Sequence, residues 1–118
     1  MSTRQALGPA TVWVVRNVRG GPYDFSRDMR EQEQWKEHAA FMNALVDDGV
    51  VLIGGPLEGG LEVILVCSAP TEDALRRRLA EDPWVHSGML TAKSVERMTV
   101  ALSPAAVDEL LARGAPPA

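Results

Sequence analysis

Residues 35–56 read WKEHAAFMNALVDDGVVLIGGP, and their pattern sets the fold. Trp35, Ala39, Met42, Leu45 and Val46 recur at helical spacing. Glu37, Asn43 and Asp47 fall on the other faces. Gly49 comes after two aspartates and is placed to stop the helix, because glycine adopts positive φ without steric cost. Val50 to Gly54 is then a short apolar strand, and Pro56 to Gly60 a turn. The stretch is therefore a helix end, a sharp stop, a strand and a Gly-Pro turn.

Upstream, Asp28 and Glu31 have the spacing of a capping box, so the helix is expected to begin near Asp28 and run for about 20 residues. Before it, Arg19 to Arg27 (RGGPYDFSR) is a loop. Tyr23 and Phe25 fold that loop back onto something, either as simple packing or as a lid over a pocket. Thr11 to Asn17 (TVWVVRN) has the β-branched and aromatic content of a strand. Residues 1–9 read as a loose leader.

Downstream, Leu61 to Ser68 (LEVILVCS) forms an antiparallel hairpin with the strand before it. Pro70 to Glu81 is a second helix, opened by Pro70 and Thr71 and stopped by Pro83. Asp82 to Met89 is a loop. Leu90 to Leu102 is a last strand, long enough to hold a bulge. Ser103 to Arg113 is a helical tail, and residues 114–118 (GAPPA) are expected to be disordered.

The order β-α-β-β-α-β makes an α+β, ferredoxin-like protomer, with two helices on one face of a four-stranded antiparallel sheet. The 118 residues are expected to form one domain, with a core over about 11–102. The other sheet face carries apolar residues from Thr11–Asn17 and Leu61–Cys67, and pairing into a homodimer is the simplest cover for them.

Composition excludes several function classes. The net charge is −4, against a nucleic-acid partner. Arg76, Arg77 and Arg78 point in three directions on a helix and make no single basic patch. No apolar run is long enough to span a bilayer, and Met1 to Ala10 lacks the apolar segment of a signal peptide, so the expected location is the cytoplasm. The single cysteine, Cys67, excludes an intrachain disulfide and sits in an apolar strand as a buried thiol.

Four motifs, taken in order, resemble the YCII-related (YciI-like) family of the dimeric α/β barrel superfamily. They are His38 on the first helix, the Asp47-Asp48-Gly49 helix end, Gly55-Pro56 after the second strand, and Asp82-Pro83-Trp84 after the second helix. The resemblance covers about residues 11–102. It implies a protomer that pairs sheet to sheet, and a pocket between sheet and helices with His38 and Asp82 as a catalytic pair. The family is similar to enzymes that isomerise or dehalogenate ring compounds without a cofactor. The 19–27 loop and the tail lie outside the short family core and could reshape that pocket.

The residues support the same candidates by their chemistry. His38 borders the apolar stripe and can move protons near neutral pH. It can equally be a structural histidine. Asp82 can orient the imidazole, or simply end a helix before a proline. Gly55, Pro56 and Trp84 would shape a substrate pocket, and Trp84 can also serve as core. His86 and Ser87 lack a nucleophile elbow. No metal-ligand spacing is present, and no G-x-G-x-x-G follows a strand, so neither a metal nor a nucleotide cofactor is expected. Three functions remain open: a cofactor-free lyase, isomerase or dehydrochlorinase-like enzyme acting on a small ring or carbonyl compound; a module that holds such a ligand unchanged; and an assembly protein built on the sheet face and tail.

Overall fold

In a computed structural model, which describes residues 10–113, the elements are β1 (Thr11–Arg19), a 3-10 turn (Met29–Glu31), α1 (Trp35–Asp47), β2 (Val51–Pro56), β3 (Glu62–Cys67), α2 (Glu72–Leu79), α3 (Pro83–Ser87), β4 (Leu90–Thr99) and α4 (Ala105–Arg113). The strands form one antiparallel sheet in the order β2-β3-β1-β4. This is the expected ferredoxin-like α+β arrangement with a short C-terminal helix. The expectations of a loose leader over residues 1–9 and of disorder over residues 114–118 lie outside the described residues.

The central strand shows how the sequence sorts its faces. Trp13, Val15, Asn17 and Arg19 alternate onto the helix side of β1, where Trp13 and Val15 join Leu45, Val50, Val51, Leu65, Cys67 and Leu75 in the main core. Leu45, Leu75 and Cys67 are fully buried. Burial pushes the Cys67 thiol up to about 12, so it stays protonated and inert at neutral pH. On the opposite face, Val14 pairs with Val66 and Arg16 with Ile64. Lys93 and Arg16 both bond the Glu62 carboxylate and hold it below the ordinary carboxylate range.

Several boundaries differ from the sequence reading. The Asp28–Glu31 capping box exists, since Asp28 Oδ2 accepts from the Arg30 amide and Glu31 Oε1 accepts from the Asp28 amide. It caps only the 3-10 turn. Gln34 then takes a left-handed conformation, φ 61°, and α1 starts at Trp35. A single long helix is ruled out because that residue breaks the backbone path. Gly49, at φ 78°, ends α1 as expected, with the Val50 amide returning to the Leu45 carbonyl.

The Gly55-Pro56 pair belongs to the end of β2 rather than to the turn, which spans residues 57–61. Pro56 is tolerated there because β2 is an edge strand. Residues 83–87, expected as loop, form the short helix α3. β4 stops at Thr99 and contains the expected bulge: the register runs Arg16↔Ser94 then Asn17↔Ala92, leaving Lys93 unpaired. A second irregularity sets Leu52 aside in β2. In the tail helix, Leu110 and Leu111 are half-buried and Val107 is exposed.

The aromatic loop packs rather than covers. Tyr23 is buried edge-on against Trp84, with ring centroids 5.9 Å apart, while Phe25 lies exposed against Tyr23. Gly21, at φ 54°, approaches the Gly88 carbonyl so closely that a Cβ would lie 2.7 Å from its oxygen. Buried Gln32 ties the loop down: its amide accepts from the Asp24 N–H and donates to the Asp24 and Arg27 carbonyls.

Candidate functional site

The site begins with a proline. Asp82 precedes Pro83, which biases its backbone to extended geometry, and its φ and ψ are −62° and 127°. That geometry makes Asp82 the N-cap of α3, with Pro83 in the first turn and the Trp84 amide donating to Asp82 Oδ1 at 2.9 Å. The capping carboxylate faces α1, which packs against α3. There His38, in the first turn of the helix, places Nδ1 2.8 Å from Oδ1 and 2.9 Å from Oδ2. The two readings of Asp82 are thus one arrangement: the residue that starts α3 also holds the histidine.

The pair is nearly dry. Asp82 is 3% exposed and His38 9%. A carboxylate only accepts, so Nδ1 carries the proton and donates. This leaves the other nitrogen, Nε2, with its lone pair free in the neutral ring. Nε2 has no hydrogen-bond partner among the described residues. The ring plane is also fixed: His38 stacks on Trp84 with centroids 3.8 Å apart and 4° between planes. Trp84 is itself anchored by its indole N–H, which donates to the Glu33 carbonyl at 2.8 Å. Trp35 lies 5.9 Å from both rings.

His38 and Asp82 line a cavity of about 600 Å³ between the sheet and the helices. Gly55, Pro56 and Trp84 line it too, so all five candidates stand around one space. Its walls are mostly apolar, from Met42, Val63 and Leu65 among others, which suits a small ring compound. Val46, expected in the buried stripe of α1, is half-exposed and lies with exposed Ile53 on this lining. Gly54 closes one wall, because a Cβ there would lie 2.6 Å from Leu65 Cδ2 and 3.0 Å from the Ile64 carbonyl oxygen.

Other candidates fall away from the site or change role. His86 is exposed on α3, and the Ser87 hydroxyl donates to the Trp84 carbonyl as part of the helix end. Arg77 and Arg78 pair with Asp73 and Asp48, as surface groups do. Arg76 pairs with Glu72 and reaches the cavity lining. Among the described residues, no group of three or more His, Cys, Asp or Glu is placed to hold a metal ion. No helix of the described residues is long and apolar enough to cross a membrane.

Two lining residues escape the sequence reading. Asn17 and Arg19 stand there as a strand end and a loop start, where polar side chains are ordinarily solvated. In the fold both are 7% exposed and both line the cavity. The available signal is their i, i+2 spacing from Trp13 and Val15, which puts all four on one face.

Comparison with known proteins agrees with this architecture. The family model for the YCII-related domain matches residues 12–99. No curated protein sequence matches the chain significantly. Among solved structures, 5-chloro-2-hydroxyhydroquinone dehydrochlorinase (TftG) from Burkholderia phenoliruptrix AC1100, in complex with 2,5-dihydroxybenzoquinone, is similar with a TM-score of 0.53 at 18% sequence identity. The alignment covers 79% of this chain and 95% of that chain. At that identity the likeness speaks for the fold. With the family model spanning most of its length, the chain belongs to the YCII-related family.

Proposed function

We propose that this YCII-related protein is a cofactor-free enzyme of lyase, isomerase or dehydrochlorinase type, with His38 as its acid–base group. The observation that carries the reading is the divided histidine. One ring nitrogen is held by a buried carboxylate, the other has no partner among the described residues, and the residue lines an apolar cavity.

In the proposed reaction, Nε2 takes a proton from a hydroxyl or an activated carbon of a small ring or carbonyl compound. The Asp82 carboxylate faces the imidazolium that forms and keeps the ring oriented. His38 then returns the proton to another atom of the substrate or to the leaving group, so no net charge stays on the protein. Stacking on Trp84 holds the ring plane through both steps, and Gly55 and Pro56 shape the wall beside the substrate. The TftG structure contains a hydroxylated quinone, which makes hydroxylated and chlorinated six-membered rings the first compounds to try.

We further propose that the protein works as a homodimer through the outer sheet face. The exposure of Met98 (43%), on the same face as half-buried Val14, Ile64 and Val66, supports that reading. A monomeric mass by light scattering at micromolar concentration would refute it.

The catalytic reading is tested by turnover of a hydroxyquinone and chlorophenol panel with wild type, His38→Ala and Asp82→Asn. The expected result is conversion by wild type and loss of roughly 10²–10⁴-fold in the His38 variant, the usual scale of general acid–base catalysis. Unchanged turnover in both variants would overturn the mechanism. A ligand that binds and is recovered unaltered after long incubation would instead make the cavity a binding site without chemistry.

A further inference from the structure

Arg19 ends β1 with its side chain on the helix side of the sheet and is only 7% exposed. Its guanidinium has weak company. Nη1 donates to the Gly60 carbonyl at 2.9 Å, Nη2 lies 3.1 Å from the Met29 sulfur, and Cζ sits 4.9 Å from the Tyr23 ring centroid. Nε is buried with no partner. Among the described residues, no carboxylate pairs with it. Glu62 is bonded to Arg16 and Lys93, Asp82 to His38, and Asp24 to Ser26. A buried, unbalanced cation is costly, and folded proteins retain one where something compensates it.

Asn17 stands two residues earlier on the same face. It is equally buried, lines the same cavity, and its side-chain amide makes no hydrogen bond among the described residues. Asn17, Arg19 and His38 therefore bring three polar side chains to the lining of one apolar space, and of their atoms Arg19 Nε is buried without a partner. They offer a fixed positive charge, an amide and a base.

We infer that Arg19, assisted by Asn17, binds an oxyanion of the ligand, so that this cavity selects small ring compounds bearing a carboxylate or an ionised hydroxyl. Guanidinium is suited to this role because its planar fork matches an oxyanion and is never neutral in the working pH range. The ring of the ligand then lies over the apolar wall while its anionic end faces Arg19. The inference rests on reading the large cavity as the ligand site, and it adds the charge class of that ligand.

The test is binding of aromatic acids, each paired with its neutral amide, and of phenols paired with their methyl ethers. Titrations by NMR on the full chain at constant ionic strength measure both members of each pair. Wild type is expected to bind at least one anion more than tenfold tighter than its neutral partner. Arg19→Met should abolish that preference while unfolding at an equal or higher temperature, since it removes an unbalanced buried charge. Should Arg19→Met fail to fold, Arg19→Gln carries the same comparison. Equal affinity for anion and neutral partner in wild type, no anion bound at all, or a preference that survives the Arg19 substitution would overturn the assignment. His38→Gln separates the two proposals: anion preference retained with no turnover in any protein would remove the catalytic reading and leave the Arg19 site standing.

Discussion

Replacing Asp82 with asparagine changes one atom type at the centre of the site, and the consequences can be worked from its hydrogen bonds. Oδ1 accepts from both the Trp84 amide and His38 Nδ1, while Oδ2 lies 2.9 Å from the same Nδ1. With the amide oxygen at the Oδ1 position, the cap of α3 survives. The new NH₂ group then faces Nδ1–H, donor against donor. The imidazole relieves that contact by turning towards the amide oxygen alone, by moving its proton to Nε2 or by leaving the carboxamide, and the last two lose the present bond. Hydrogen bonds to a charged group contribute roughly 1.5–3 kcal/mol, so losing this one costs about 2 kcal/mol. For a chain of this size that lowers Tm by roughly 8 °C. Urea and thermal unfolding measure the cost, and ¹⁵N shifts of the His38 ring report which nitrogen is protonated. With the proton moved to Nε2, that nitrogen is a donor and can no longer act as a base. On any substrate found, kcat should fall by roughly 10⁴-fold, the scale of the equivalent change in a Ser-His-Asp triad. A variant within about 0.5 kcal/mol of wild type that keeps the proton on Nδ1 would refute the claim that Asp82 sets the histidine.

Three single residues give further tests. Gln34→Gly should stabilise the protein by about 1 kcal/mol in equilibrium unfolding, because φ 61° costs a residue with a Cβ about that much; a destabilised variant would show that the Gln34 side chain has a compensating role. Gly54→Ala should destabilise by about 1–3 kcal/mol, since the added Cβ must displace Leu65 and crowd the Ile64 carbonyl; an unchanged denaturation midpoint would count against the tight wall. Cys67 should resist thiol reagents at neutral pH until the protein unfolds. Its folded pKa lies above its ordinary 9.0, so the stability tied to the buried thiol is complete below pH 9 and is lost as pH rises towards about 12; rapid labelling of native protein at pH 7 would contradict that burial.

Much of this fold was legible in the chain because local signals agreed with one another. Gly49 ends α1, Thr71 caps α2 through the Ala74 amide, and β2 and β3 form the expected antiparallel hairpin. The start of α1 was not legible. The Asp28–Glu31 box is a genuine cap, but nothing in the residue type of Gln34 announces the left-handed turn that separates it from Trp35. Asp82 was legible as a residue before proline. That one carboxylate both caps a short helix and holds His38 depends on a contact 44 positions apart, which only the assembled sheet provides. Asn17 and Arg19 were hidden for a related reason. Polar residues at a strand end are usually wet, and their burial here comes from the elements that close over the helix side of the sheet.

If His38 Nε2 moves protons on a ligand in the cavity, solvent deuterium exchange measures it directly. Ring ketones, phenols and hydroxylated quinones are incubated in D₂O with wild type and with His38→Gln, and loss of each C–H signal is followed by NMR. At least one compound should exchange with wild type, at a rate that falls by about 100-fold or more in the variant. Equal rates in the two proteins, or no exchange above the uncatalysed rate across the panel, would contradict proton transfer by His38.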